Sequence, residues 1–222
     1  VVLTVVIAAP VSNRASQVSG RAGREFKKLV ESKHPNVRVA FIPDDQCIHD
    51  RAGILQKYKD TGPVFLTYWG HGMSKKICGE IPPHCANTPH GMIDPSNIGL
   101  LKNIITYACA CWTSHTLGRM AEEIGSKAYV GYRKPLFVGY DMPEHAYASD
   151  AIDVWQTFPL EMLSGNTVAG AIAEMSSKSK EYENFYEENM DDLTYADYYL
   201  KRFRSNRNAL VPFGDLKATL EL

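Results

Sequence analysis

The strongest constraint on this chain is an alternation that runs through its first 140 residues. Short apolar runs alternate with longer segments whose apolar residues recur at helical spacing. Val2–Ala8, Val37–Ile42, Val64–Trp69, Asn103–Ala110 and Ala128–Tyr132 read as strands buried on both faces. Between them, Ala15, Val18, Ala22, Phe26, Leu29 and Val30 mark a helix stopped by Pro35-Asn36. Cys47–Lys59 reads as a second helix, and Ser114 caps a third that runs to Ile124. Asp94 caps a short helix reaching Leu101. Such alternation predicts parallel strands joined by right-handed crossovers, with helices on both faces of the sheet.

The rest of the chain reads differently. Residues 141–222 are mainly helical, with helices over Ala146–Leu163, Thr167–Tyr186 and Leu193–Arg204 and a dividing Gly165-Asn166. Pro135–Tyr140 and Leu216–Leu222 read as short strands, the second at a sheet edge. Met73–Ile93, rich in Gly, Pro, His and Cys, has no periodicity and reads as a loop, functional or disordered. The 222 residues are expected to form a single domain, with 1–140 as its alternating core and 141–222 as its helical completion.

Composition removes several classes of function. At 45% apolar and 22% charged, the chain is too apolar to be disordered throughout. A net charge of −1 gives no basic field for nucleic acid. No apolar run approaches the ~18–20 residues of a membrane span, so neither nucleic acid nor membrane is an expected partner. Val1–Pro10 lacks the basic flank of a signal peptide, and a start without Met reads as a processed product or excised domain. Five cysteines, an odd number, argue against a complete disulfide framework and leave the compartment open.

In a parallel sheet with helices on both faces, reactive groups gather at the carboxyl ends of the strands. Two of those ends carry chemistry. The third strand closes as Tyr68-Trp69-Gly70-His71-Gly72, and the fourth as Ala108-Cys109-Ala110-Cys111-Trp112-Thr113-Ser114. If the two strands are neighbours, a histidine and a cysteine face one crevice. The imidazole then keeps a thiolate available near neutral pH, helped by the amino end of the following helix. The amides of Gly72 and Cys111 are placed to form an oxyanion hole. The chemistry expected is acyl transfer to a thiol. Each residue also has a plainer reading, His71 as a satisfied structural group and either cysteine as a small core side chain. Cys109 and Cys111 both follow an alanine and share a strand face, so alternation does not separate them. Cys111 is preferred as nucleophile because it lies nearer the junction and precedes Thr113-Ser114; Cys109 is the alternative.

An apolar strand ending His71-Gly72, followed forty residues later by Ala110-Cys111-Trp112-Thr113-Ser114, resembles the caspase–legumain–gingipain group of cysteine peptidases, clan CD. Ser114 stands where that family usually has Gly. Lys127–Tyr132 resembles the strand after the nucleophile helix. Gly165–Ala173, Phe213–Leu216 and Thr219–Leu222 look more like the gingipain-type branch than like caspases. The resemblance spans most of the chain. It implies a caspase-like three-layer α/β sandwich, a His71–Cys111 dyad and endopeptidase activity on protein or peptide substrates. It requires no metal or organic cofactor for the chemistry, leaves a calcium requirement open, and allows for other domains of a longer precursor.

In that family the loops after the first strand and after the strand beyond the nucleophile set specificity. Those loops correspond here to Ser12–Arg14 and Tyr132–Lys134, with Asn13, Arg14, Tyr132 and Arg133 as the candidate contacts. Arg14 or Arg133 can pair an acidic side chain, and Asp44 or Asp45 a basic one. Each is equally readable as a solvated surface charge, so the preferred residue at the cleaved bond stays open. Cys78, His84, Cys85 and His90 are zinc-ligand types, but their spacing matches no recognisable zinc pattern. The principal rival function is a catalytically silent binding module on the same fold. A nucleotide- or flavin-binding domain ranks lower, because Ala8–Arg14 contains no glycine.

Overall fold

A computed structural model describes residues 2–11, 14–42, 48–79, 91–137 and 146–221. In chain order the elements are β1 (Thr4–Ala8), α1 (Arg14–Lys33), β2 (Arg38–Ile42), α2 (Ile48–Lys59), β3 (Val64–Trp69), β4 (Gly72–Met73), β5 (Lys76–Ile77), β6 (Ile105–Cys109), α3 (Leu117–Glu123), β7 (Ala128–Tyr132), α4 (Ala146–Leu163), α5 (Val168–Glu188), α6 (Ala196–Ala209) and β8 (Leu210–Gly214). A short 3-10 turn, Ile98–Leu101, precedes β6. Among the described residues, six strands make one sheet in the order β2-β1-β3-β6-β7-β8. Its first five members are parallel, and only β8 runs against its neighbour.

The continuous apolar runs mean what two-sided burial requires. All five residues of β1 are buried, with Val5 and Ile7 in the core on one face and Val6 and Ala8 in the core on the other. β3 divides the same way, Phe65 and Trp69 against Leu66 and Tyr68. The first face is covered by α1, α4, α5 and α6, and the second by α2, α3 and the 3-10 turn. The result is three layers. Residues from both halves of the chain share the larger core, as where Gln156 of α4 donates to the Ala22 carbonyl of α1 at 2.9 Å.

Three expectations are corrected. The edge strand is Leu210–Gly214, and Leu216–Glu221 forms no strand. Pro212 hides β8 from a sequence reading, but an edge strand tolerates a residue that cannot donate. Residues 135–137 are irregular, and the remainder of the Pro135–Tyr140 segment lies outside the described residues. The start of the Met73–Ile93 segment is not a structureless loop. β4 and β5 form a tight hairpin, and Ile77 bridges antiparallel to Ile93, closing the base of the segment.

Candidate active site

β3 and β6 are parallel neighbours, with Trp69 opposite Cys109. The pairing extends one step further, because the Gly70 N–H donates to the Cys109 carbonyl at 3.3 Å. His71 and Cys111 therefore leave the sheet from adjacent strands, each two residues past that pair.

The histidine end is pinned through its backbone. The His71 carbonyl accepts the Cys78 N–H at 3.0 Å and the Tyr68 hydroxyl at 3.0 Å. The Tyr68 hydroxyl also reaches the Cys78 carbonyl. The β4–β5 hairpin then ties this end to the cysteine end. The Ser74 carbonyl accepts the N–H groups of Thr116 and Leu117 at 3.2 and 2.9 Å, and its hydroxyl meets Thr116 Oγ1 at 2.7 Å. Between the two ends lies Gly72. A Cβ there would fall 2.6 Å from the Cys111 carbonyl oxygen, 2.4 Å from Thr113 Cγ2 and 2.9 Å from Ala110 Cβ. Only a residue without a side chain lets the backbone after His71 come this close to the backbone of Cys111.

The cysteine end is a sharp turn. Trp112 has φ +63°, a left-handed conformation that costs a non-glycine residue roughly 1–3 kcal/mol. Its N–H donates to the Lys134 carbonyl at 3.3 Å, and the Ser114 N–H donates to the Tyr132 carbonyl at 3.1 Å. Thr113 Oγ1 donates to the Ala110 carbonyl at 3.2 Å, and Ser114 Oγ donates to the Val211 carbonyl at 2.9 Å. Gly131 makes room for both hydroxyls, since a Cβ there would lie 2.7 Å from Thr113 Oγ1 and 2.9 Å from Ser114 Oγ. Ser114 therefore fastens the turn to β8 rather than capping a helix. The helix begins only at Leu117, after Thr116. α3 thus starts six residues past Cys111, further along the chain than a Ser114 cap would place it.

The two thiols sit in different surroundings. Cys109 is fully buried beside Tyr107, whose hydroxyl lies 3.4 Å from that of Tyr132. Burial pushes the Cys109 thiol well above the ordinary value of 9.0. Cys111 is part-buried, and its Sγ accepts the Leu136 N–H at 3.2 Å. The Leu136 carbonyl lies 3.9 Å from the same sulfur. Burial also raises the Cys111 pKa from 9.0, while the N–H groups of Leu136 and of Cys111 itself pull it back in part. The net effect favours the neutral thiol over the thiolate.

The specificity candidates disperse. Tyr132 is corrected: it is 1% exposed, because its position on β7 turns it into the core beneath α4–α6, and it offers no surface to a substrate. Arg133 is exposed, and its guanidinium donates to the Asn208 carbonyl at 3.2 Å, satisfying the carboxyl end of α6. Arg14 opens α1. Asn13, Asp44 and Asp45 lie outside the described residues, as do His84, Cys85 and His90. Cys78 is half-buried. Among the described residues no three His, Cys, Asp or Glu side chains converge as a metal site.

Three contributors escaped the sequence reading. Tyr68 is an apolar-looking strand residue whose hydroxyl reaches past Gly70 to the His71 backbone; a Cβ on Gly70 would lie 2.7 Å from it. Tyrosine three residues before the histidine, with glycine between, is the signal available. Ser74 and Leu136 act mainly or wholly through backbone atoms, which no side-chain pattern announces.

A mostly parallel six-stranded sheet between helical layers is a caspase-like α/β fold. Among solved structures the chain is similar to the Arg-specific cysteine proteinase gingipain R, with a TM-score of 0.56 at 10% identity. The match takes in 98% of this chain and 47% of that one, so the chain spans about half the length of that neighbour. An inactive zymogen C11 protease from Parabacteroides distasonis matches at a TM-score of 0.42 and 11% identity, over 88% of this chain and 67% of that one. No known family's sequence profile matches the chain. No curated protein matches it by sequence.

Proposed function

We propose that this chain is a cysteine endopeptidase in which His71 and Cys111 form the reacting pair, in the manner of the gingipain-type branch. The observation that carries the reading is the join between the two strand ends, where Gly72 lies against the Cys111 backbone and Ser74 against Thr116 and Leu117. His71 takes the Cys111 proton as Sγ attacks the scissile carbonyl. The amides of Gly72 and Cys111 receive the developing oxyanion. The imidazolium returns the proton to the leaving amine, giving a thioester. A water then gives its proton to His71 and attacks the thioester, releasing the carboxylic acid and restoring the thiol. Cys109 is set aside as nucleophile because no substrate carbonyl reaches a fully buried sulfur.

One observation favours the silent binding module instead. The backbone of Leu136 flanks the Cys111 sulfur with both its N–H and its carbonyl. The two readings separate by turnover of a peptide library that varies the residue before the cleaved bond. Peptidase function predicts cleavage that Cys111→Ala abolishes and that His71→Ala lowers by roughly 10²–10⁴-fold. Cleavage unchanged in both variants, or none from the native protein with any library member, defeats the reading.

A further inference from the structure

α4, α5, α6 and the turn leading into α6 line a groove of about 650 Å³. Its lining joins three carboxylates, Asp150, Glu181 and Asp192, to the aromatic residues Tyr182, Phe185 and Tyr186. One cation enters it, Lys178, and that ammonium is held by Asp153 at 3.2 Å and Glu181 at 3.4 Å. Among the described residues no ammonium or guanidinium pairs with Asp150 or Asp192. Asp150 accepts the Tyr186 hydroxyl at 2.6 Å, which fixes a part-buried carboxylate beside a ring.

The surrounding charge has one sign. From Glu181 to Asp197 the chain carries seven carboxylates and no Lys, Arg or His. Glu183, Glu187 and Asp197 are neutralised by Arg207, Arg204 and Lys201, all outside the groove lining. The groove also exposes apolar surface that a folded chain ordinarily covers. Phe185 is 48% and Leu193 37% exposed, and Met190 and Tyr195 flank them at 40% and 47%.

We infer that this groove docks a basic, arginine-bearing segment of another polypeptide, whose aliphatic side chains cover Phe185 and Leu193. Charge complementarity selects the cation. A guanidinium fits better than an ammonium, because its planar fork can meet a carboxylate of Asp150 or Asp192 with two parallel N–H donors. The apolar rim selects a polypeptide over a small amine, which would leave Phe185 and Leu193 uncovered. None of the residues lining the groove is one of those at the His71 and Cys111 strand ends.

The test is fluorescence anisotropy on the full chain with a labelled peptide that alternates Arg and Leu. Saturable binding is expected, weakening as salt is raised. The paired substitution Asp150→Asn and Asp192→Asn should weaken it by about tenfold. Phe185→Ser should weaken it independently, and a peptide with Glu in place of Arg should not bind. Asn still accepts from Tyr186, and a circular-dichroism melt identical to that of the native chain shows that the fold is kept. Binding unaffected by the Asn pair, equal binding of the Glu peptide, or full displacement by an equal concentration of spermine would overturn the inference.

Discussion

The interior of β6 and the turn that follows it hold two cysteines in nearly the same local sequence, Ala108-Cys109 and Ala110-Cys111. The first points into the layer of α1, α4, α5 and α6, flanked by Tyr107 and the Trp69 strand. The second has passed the last paired residue of the sheet and meets backbone from another element, the Leu136 peptide. The difference teaches that reactivity here depends on where pairing stops. Two residues of register separate a fully buried thiol from a part-buried one beyond the end of the strand.

The largest expected effect comes from damaging the turn side alone. Gly72→Ala places a methyl 2.6 Å from the Cys111 carbonyl and must push the two strand ends apart. Overpacking of this kind costs roughly 1–3 kcal/mol of stability, and misplacing reacting groups by an ångström costs on the order of 10²-fold in rate. Turnover should therefore fall far more than the melting temperature does. Turnover equal to that of the native chain would show that the close approach of these backbones is not used.

Leu136→Ala works on the boundary between the two regions. Leu136 is buried, and its side chain anchors the segment whose peptide flanks Cys111 Sγ. Shortening it loosens that segment, so iodoacetamide should modify Cys111 several-fold faster at a given pH. A rate that falls instead would show that the Leu136 N–H matters more as a donor to the thiolate than its peptide matters as an obstruction.

The smallest effect belongs to the core side. Cys109→Ala removes a buried sulfur and should cost roughly 1 kcal/mol in chemical denaturation, with turnover kept. The core side also has a pH signature. Cys109, Tyr107 and Tyr132 all have folded pKa values raised by burial. Their neutral forms are favoured by folding, so their contribution is intact below the unfolded value of 9.0 for the thiol and about 10 for the phenols. It is lost as pH rises from there toward the folded values. Cys109→Ala should shift the onset of alkaline unfolding upward.

Much of this architecture is legible in the sequence. Strands buried on both faces leave continuous apolar runs, which is why β3 and β7 match their expected bounds and β1, β2 and β6 differ only by frayed ends. The alternation places His71 and Cys111 just past the carboxyl ends of strands, and the β3–β6 pairing brings those ends side by side. What stayed hidden has no side-chain signature. Two-residue strands such as β4 and β5 are too short for a period, Pro212 disguises β8, and the contacts of Ser74 and Leu136 pass largely through main-chain atoms. Tyr132 misled for the opposite reason: a tyrosine at a strand end looks like a ligand contact, yet its hydroxyl is directed to Tyr107 inside the core.

The most direct test of the pairing is the rate at which iodoacetamide modifies each thiol of the native chain between pH 5 and 10, read by peptide mapping and repeated with His71→Ala. The account predicts modification at Cys111 and not at Cys109, slow at neutral pH because burial holds the thiol above 9.0, and slower still at every pH below that value without the imidazole. Equal modification of Cys111 with and without His71, or modification of Cys109 in the folded chain, would contradict it.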